Sequence, residues 1–124
     1  MSAFDDLGKI TPQQIWPGLV GWPVHGAEAT LAVLTLEPGI AVPEHSHVNE
    51  QIGVLLGGTV TFHIGDEHKE IQPGATWVIP ANVPHSVDVG PDGASIIELF
   101  SPPRTDWAGL ERLEPGTPPG FGLV

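Results

Sequence analysis

Apolar residues along this chain fall in short alternating runs, not on a helical stripe. Thr30–Leu36, Gln51–Leu56, Thr59–Ile64, His68–Ile71, Thr76–Ile79, Ser86–Val89 and Ser95–Phe100 each read as a strand, because Val, Ile, Leu and Thr dominate them. No window of about 11 residues carries a clean helical period. Pro and Gly recur about every ten residues as turn punctuation. Gly57-Gly58 predicts a hairpin turn between two of the runs, since Gly accepts positive φ cheaply. Gly65-Asp66 and Pro73-Gly74 predict further turns. Thr105–Leu113 predicts one short helix, with Thr105 or Asp106 as its N-cap. Many short strands with regular turns predict an all-β sandwich or small barrel. The body spans 29–100, and the segments 1–28 and 101–124 flank it as arms. Trp16, Trp22 and Trp107 lie in those arms and need burial, on the body or on a second subunit.

Composition narrows the chemistry. At 124 residues the chain suits one domain. Sixteen Gly and 14 Pro could suggest low complexity, but 40% of residues are apolar and only 15% charged, which fits a folded domain. Four Lys+Arg against 15 Asp+Glu give a net charge of −11, the wrong sign for nucleic acid or an anionic membrane. With no Cys there is no disulfide, thiolate ligand or cysteine nucleophile, and with no Tyr one common proton donor is missing. The first ten residues carry two Asp where a signal peptide needs basic residues and an apolar run. The longest aliphatic stretches, about six residues, are far short of a membrane span. The expected location is the cytoplasm.

Chemistry must therefore come from six His, the carboxylates and two Arg. His45-Ser46-His47 is the strongest local signal. On a strand, residues two apart share a face, so both imidazoles would project together, with Gln51 at the same parity. His85 follows the turn Pro80-Ala81-Asn82-Val83-Pro84. Three imidazoles and an amide oxygen converging inside a barrel would hold a divalent metal; taken alone, His45 and His47 read equally well as two solvated residues.

The flanking pattern favours the metal. Gly39-x5-His45-x-His47-x3-Gln51-x6-Gly58 resembles the first motif of the cupin superfamily, and Gly74-x5-Pro80-x-Asn82-x2-His85 resembles the second. The resemblance implies a single-domain double-stranded β-helix, a jelly-roll-like barrel, with a metal in its lumen on His45, His47, Gln51 and His85. It also implies a homodimer whose N-terminal arm packs across the partner. Three positions depart from the pattern. Gln51 replaces the usual Glu ligand, Asn82 replaces a Gly, and Val89 stands where Asn is common. Asn82 is a mild change, because Asn also tolerates the left-handed conformation. With Gln51 every ligand is neutral and the full +2 charge remains, which favours Lewis-acid work and an anionic substrate. Zn, Ni, Fe and Mn all suit such a site.

Glu98-Leu99-Phe100-Ser101-Pro102-Pro103-Arg104-Thr105-Asp106-Trp107 is similar to a segment of the small cupins of pectin and alginate degradation, which open 4,5-unsaturated uronates to linear keto-sugar acids. The likeness extends over His45-Ser46-His47, Glu50-Gln51-Ile52-Gly53 and Val83-Pro84-His85. It implies that Glu98, Phe100 and Arg104 line the pocket, with Glu98 in place of the family's Asp. If Ile96, Glu98 and Phe100 face the lumen, Glu98 is a buried carboxyl suited to proton transfer. The opposite parity puts Ile97 and Leu99 in the core and Glu98 in solvent. Arg104 suits a substrate carboxylate, or else an ion pair with Asp106. Phe100 is a core or pocket wall, and Trp77 is core or dimer interface. His25, His63 and His68 read as surface residues, Glu44 and Glu50 as exterior carboxylates. Glu50 is the one rival ligand, should a bulge shift the register.

The leading expectation is a metal-dependent enzyme on a small hydroxylated carboxylate or sugar acid, most like a 4,5-unsaturated uronate. Alternatives are an Fe or Mn dioxygenase, another lyase or isomerase, and a non-catalytic ligand-binding module; the fold alone does not decide among them.

Overall fold

A computed structural model describes residues 2–122; Met1 and the last two residues of the C-terminal arm, 123 and 124, lie outside the described residues. The described chain is all-β, nine strands in one antiparallel network. They are β1 (Gln13–Trp16), β2 (Leu19–His25), β3 (Thr30–Leu36), β4 (Ala41–His45), β5 (Glu50–Ile64), β6 (Glu67–Ile71), β7 (Thr76–Ile79), β8 (His85–Ser101) and β9 (Glu111–Arg112). No helix among them is long and apolar enough to cross a membrane.

Two long strands organise the barrel. β5 and β8 pair with each other over nearly their whole lengths, from Glu50↔Ser101 to Ile64↔His85. Their register breaks around Gly57-Gly58 on one strand and residues 90–93 on the other. On one side of that break β7, β5, β8, β3, β2, β1 and β9 form the larger layer. On the other, β6, β5, β8 and β4 form the smaller one. Leu34, Leu55 and Ile96 from the first layer pack with Val42, Phe62 and Val87 from the second in one core.

Gly57-Gly58 is therefore a bulge inside β5, not a hairpin turn. Gly58 has φ +78°, and a Cβ there would overlap the Gly93 carbonyl of the facing strand. The backbones meet too closely for any side chain, and the glycines let both strands turn the barrel's corner together. The runs Ser86–Val89 and Ser95–Phe100 are likewise two halves of one strand, β8. Gly65-Asp66 does close the β5–β6 hairpin, with Ile64 opposite Glu67.

The arms also differ from expectation. Residues 13–25 enter the larger layer as β1 and β2. Thr105–Leu113 forms only a 3-10 turn, Thr105–Gly109, followed by β9. No side chain caps that turn, because its N-cap position falls on Arg104, whose guanidinium only donates, and it donates to Asp106. Trp22 and Trp107 are buried within their own chain, and Trp22 Nε1 donates to the Gly116 carbonyl at 2.8 Å. Trp16 remains 41% exposed.

Candidate metal centre

The three motif histidines meet at one end of the lumen. His45 ends β4, His47 lies in the loop 46–49, and His85 begins β8 directly opposite His45. The expectation that His45 and His47 share a strand face is corrected here: β4 stops at His45, and Gln51 belongs to the next strand. Loop and ladder bring the rings together instead, with centroids 4.3 Å apart for His45–His85, 4.9 Å for His47–His85 and 6.1 Å for His45–His47. One nitrogen of each lies within 4.8 Å of the others'.

The second nitrogen of each ring explains the orientation. His45 Nδ1 donates to the Pro43 carbonyl at 2.7 Å, His47 Nδ1 to Asn49 at 2.9 Å and His85 Nδ1 to Val83 at 2.9 Å. Each bond fixes the tautomer, so each Nε2 carries a lone pair. Burial, aided by the Arg104 charge, holds the pKa of His47 below its ordinary value, and burial lowers that of His85 to about 4. Both rings are neutral at pH 7, the state a metal needs.

The residues fit a divalent metal. His85 Nε2 is buried without a hydrogen-bond partner, a costly arrangement unless a ligand takes the lone pair. Gln51 donates its Nε2–H to Glu98 Oε2, so its Oε1 faces His47 Nε2 at 2.9 Å. Two acceptor atoms face each other there, and a shared cation is what relieves such a contact. The exposed Glu50 is not part of the histidine group.

Behind the histidines lies a cavity of about 260 Å³. Glu98 lines it and is buried, on the lumen parity with Ile96 and Phe100. Trp77 Nε1 also donates to Glu98 Oε2, at 2.9 Å. Desolvation raises the Glu98 pKa, against the opposing pull of Trp77, Gln51 and Arg104. Gly53 makes room for this arrangement, since a Cβ there would overlap the Trp77 indole.

Arg104 lies at the cavity wall, its guanidinium 4.8 Å from the Phe100 ring centroid and 4.7 Å from that of Trp107. Its Nε and Nη2 both donate to Asp106 at 3.0 Å. That pairing holds the Asp106 carboxyl below its usual range. Phe100 is 3% exposed and packs edge-on against His47.

Several residues here escaped the sequence reading. Asn49 is buried and donates its side-chain N–H to the Pro102 carbonyl, tying the histidine loop to the segment that carries Arg104. Trp107 lines the cavity with a buried Nε1 that has no partner. Ile15, Trp16 and Leu19 bring the N-terminal strands to the same cavity. A polar Asn and an indole N–H that need partners were the available signals; nothing local indicated which partners.

Among solved structures the chain is similar to KdgF from Halomonas sp., with a TM-score of 0.76, 23% identity, and 86% of this chain and 98% of that one covered. It is similar to an RmlC-like cupin from Shewanella frigidimarina, with a TM-score of 0.78, 21% identity, and 87% and 97% covered. Oxalate decarboxylase from Bacillus subtilis matches with a TM-score of 0.70 at 18% identity, over 79% of this chain and 29% of that one. No curated protein sequence matches it. The family model described as the cupin domain matches residues 32–99, more than half of the chain. The chain belongs to the cupin family.

Proposed function

We propose that this cupin is a metal-dependent enzyme that linearises 4,5-unsaturated uronates or close relatives among small hydroxylated carboxylates. The observation that carries the reading is the joint placement of a three-histidine group, a buried carboxyl and an arginine around one cavity. The likeness of the segment 98–107 to uronate-opening cupins supports the substrate class.

His45, His47, His85 and Gln51 would hold the divalent ion, and when bound it supplies Lewis-acid polarisation of a substrate oxygen. Arg104 binds the substrate carboxylate. Asp106 occupies Nε and Nη2, which leaves the two Nη1 protons for that task. Contact with the Phe100 and Trp107 rings holds the guanidinium at the cavity wall and limits the ordering cost on binding. Trp107 Nε1 offers a further donor to a sugar oxygen.

Glu98 moves the proton. Its raised pKa favours the neutral carboxyl, and both hydrogen bonds it accepts land on Oε2, leaving Oε1 for exchange. Ring opening breaks the bond between the anomeric carbon and the ring oxygen and turns the anomeric hydroxyl into a carbonyl. The neutral Glu98 delivers its proton to the far carbon of the double bond and takes up the anomeric hydroxyl's proton, so it ends the reaction protonated as it began. The reaction is an isomerisation and consumes neither water nor an oxidant. The protein acts as a homodimer in the cytoplasm on a dissolved substrate.

The test is turnover of unsaturated galacturonate by metal-loaded protein, followed as loss of the conjugated double bond's ultraviolet absorbance. A rate no faster than the spontaneous opening rejects the substrate. Glu98→Gln should lower the rate at least ~100-fold with metal content unchanged; an unchanged rate removes the proton role. Substrate-dependent O₂ uptake by the iron-loaded protein would instead mark a dioxygenase. Tight binding of the sugar acid, recovered unaltered after long incubation, would mark a binding module.

A further inference from the structure

The chain has four tryptophans, and three are taken up by packing. Trp22 is buried and donates to the Gly116 carbonyl. Trp77 lies against Phe62 and donates to Glu98, and Trp107 packs on Phe100 and Arg104. Trp16 is the exception. Its indole is 41% exposed and, among the described residues, has neither an aromatic partner nor a side-chain hydrogen bond. It nevertheless lines the same cavity as the candidate metal centre.

A bulge puts it there. Along β1, strict alternation would turn Gln13 and Ile15 inward and Trp16 outward. The register with β2 slips instead: Gln14 lies opposite Val20 and Trp16 opposite Leu19, with Ile15 left over between them. Ile15 and Trp16, neighbours in sequence, then both line the cavity. An extra residue in one strand re-aims a side chain in this way. The hairpin tip that follows is pinned to the body. Gly18 has φ +85°, its carbonyl accepts the Glu37 N–H at 2.9 Å, and a Cβ there would press on Ile40 at 3.0 Å. The backbone that carries Trp16 is thus fixed before any ligand arrives, which limits the ordering cost of binding.

Pro43, His45 and Asp106 are the other exposed residues that line the cavity, and they mark its opening. Trp16 shares that rim. His45 belongs to the histidine group, and Asp106 holds Arg104. The mouth therefore joins an ion site, a carboxylate-binding arginine and an uncommitted aromatic face. A sugar ring suits the last of these. Its ring carbons present C–H bonds, an apolar and weakly positive surface that complements the negative face of an indole, while its hydroxyls project at the edge toward water. We infer that Trp16 forms a stacking subsite at the cavity mouth for the carbon face of a pyranose ring whose carboxylate is bound by Arg104. The inference deepens the sugar-acid reading above and rests on it. Trp16 binds and orients the ring and takes no part in the proton transfer.

Tryptophan fluorescence of the zinc-loaded, full-length protein tests this, because the other three indoles are buried. The probe is D-galacturonate, which lacks the 4,5 double bond and so binds without being opened. It should shield Trp16 from quenching by acrylamide. Trp16→Ala should weaken its binding at least ~10-fold by titration calorimetry, with the metal per chain and the far-ultraviolet circular dichroism unchanged. Trp16→Phe, which keeps a flat ring, should recover most of that loss. With unsaturated galacturonate as substrate, the loss in Trp16→Ala should fall on KM and leave kcat within ~2-fold, since a stacking contact is made equally in substrate and transition state. Galacturonate that binds without shielding Trp16, or that binds Trp16→Ala as tightly as wild type, overturns the subsite while the sugar-acid reading stands. A loss that Trp16→Phe does not recover overturns stacking as its cause. If galacturonate does not bind the wild type, the sugar-acid reading fails and the subsite falls with it.

Discussion

Arg104 and Asp106 show how one side chain can serve both packing and recognition. The guanidinium lies against two aromatic rings and is clamped by a carboxylate two residues on, so its position is set before any ligand arrives. The pairing also predicts a pH dependence. Asp106 has its pKa lowered in the folded protein, chiefly by its hydrogen bonds to Arg104. The pair's contribution is thus complete above the unfolded aspartate value of about 3.9 and disappears as pH falls through the lower folded value. Because Asp106 is largely exposed, the effect on overall stability is small. Carbonyl-detected NMR should show Asp106 titrating below ordinary aspartates, and Arg104→Gln should raise its midpoint; a midpoint that does not move would contradict the assigned cause. The sequence presented this arginine as either a substrate clamp or the partner of Asp106. The ion pair is formed, and the clamp rests on the donors it leaves over. Nothing in the spacing of the two residues could announce the stacking that joins both roles.

At the scale of elements, the bend in β5 and β8 builds the site. Each strand runs through both layers, so the segment bearing Gln51 and the segment bearing His85 reach the same end of the barrel from opposite ends of the ladder. Gly58 makes the bend possible, and Gly58→Ala is predicted to be severe. It adds a Cβ at φ +78° and drives it into the Gly93 carbonyl. The expected cost is at least ~3 kcal/mol, combining backbone strain with steric displacement. Gly116→Ala, where a Cβ meets nothing within 4 Å, should change stability by less than ~1 kcal/mol. Urea denaturation of the two variants distinguishes them; equal midpoints would show that the corner relaxes freely. Turn chemistry in the sequence located the Gly57-Gly58 corner but mistook its kind. Two glycines between β-type runs fit a hairpin and a bulge equally well, and the difference lies in residues 90–93 on a distant part of the chain.

For the whole molecule, a metal on four neutral ligands should couple binding to stability. The ion requires the folded arrangement of β4, the loop 46–49, β5 and β8, which the unfolded chain lacks. At a metal concentration 100 times Kd, the stabilisation is about 2.7 kcal/mol, equivalent to a rise of roughly 10 °C in Tm for a chain of this length. Zn, Ni, Mn and ferrous Fe should each be tried by differential scanning calorimetry against a chelated control. His45→Ala, at an exposed ligand, should abolish the rise while leaving the chelated Tm within a few degrees. No shift with any of the four would reject the metal centre. The acidic surface and the cationic site do not conflict. The −11 charge is spread over the whole chain, whereas a +2 ion beside Arg104 acts over a few ångströms inside a low-dielectric cavity.

By itself the sequence determined the fold class, the histidines and Gln51 as candidate ligands, the two possible parities of Glu98, of which the structure takes the inward one, and Asn82 at a left-handed turn position, found at φ 65°. These are local properties: alternation, turn residues and motif spacing act between near neighbours. Only the tertiary structure decided that Gly57-Gly58 is a corner, that Trp77 and Gln51 both donate to Glu98, that Asn49 ties the histidine loop to Pro102, and that Trp16 shares a cavity with His45 and Asp106. Each of these depends on register and bending between segments far apart in sequence. Those are set by how the two layers close over a common core, which no short stretch of the chain encodes alone.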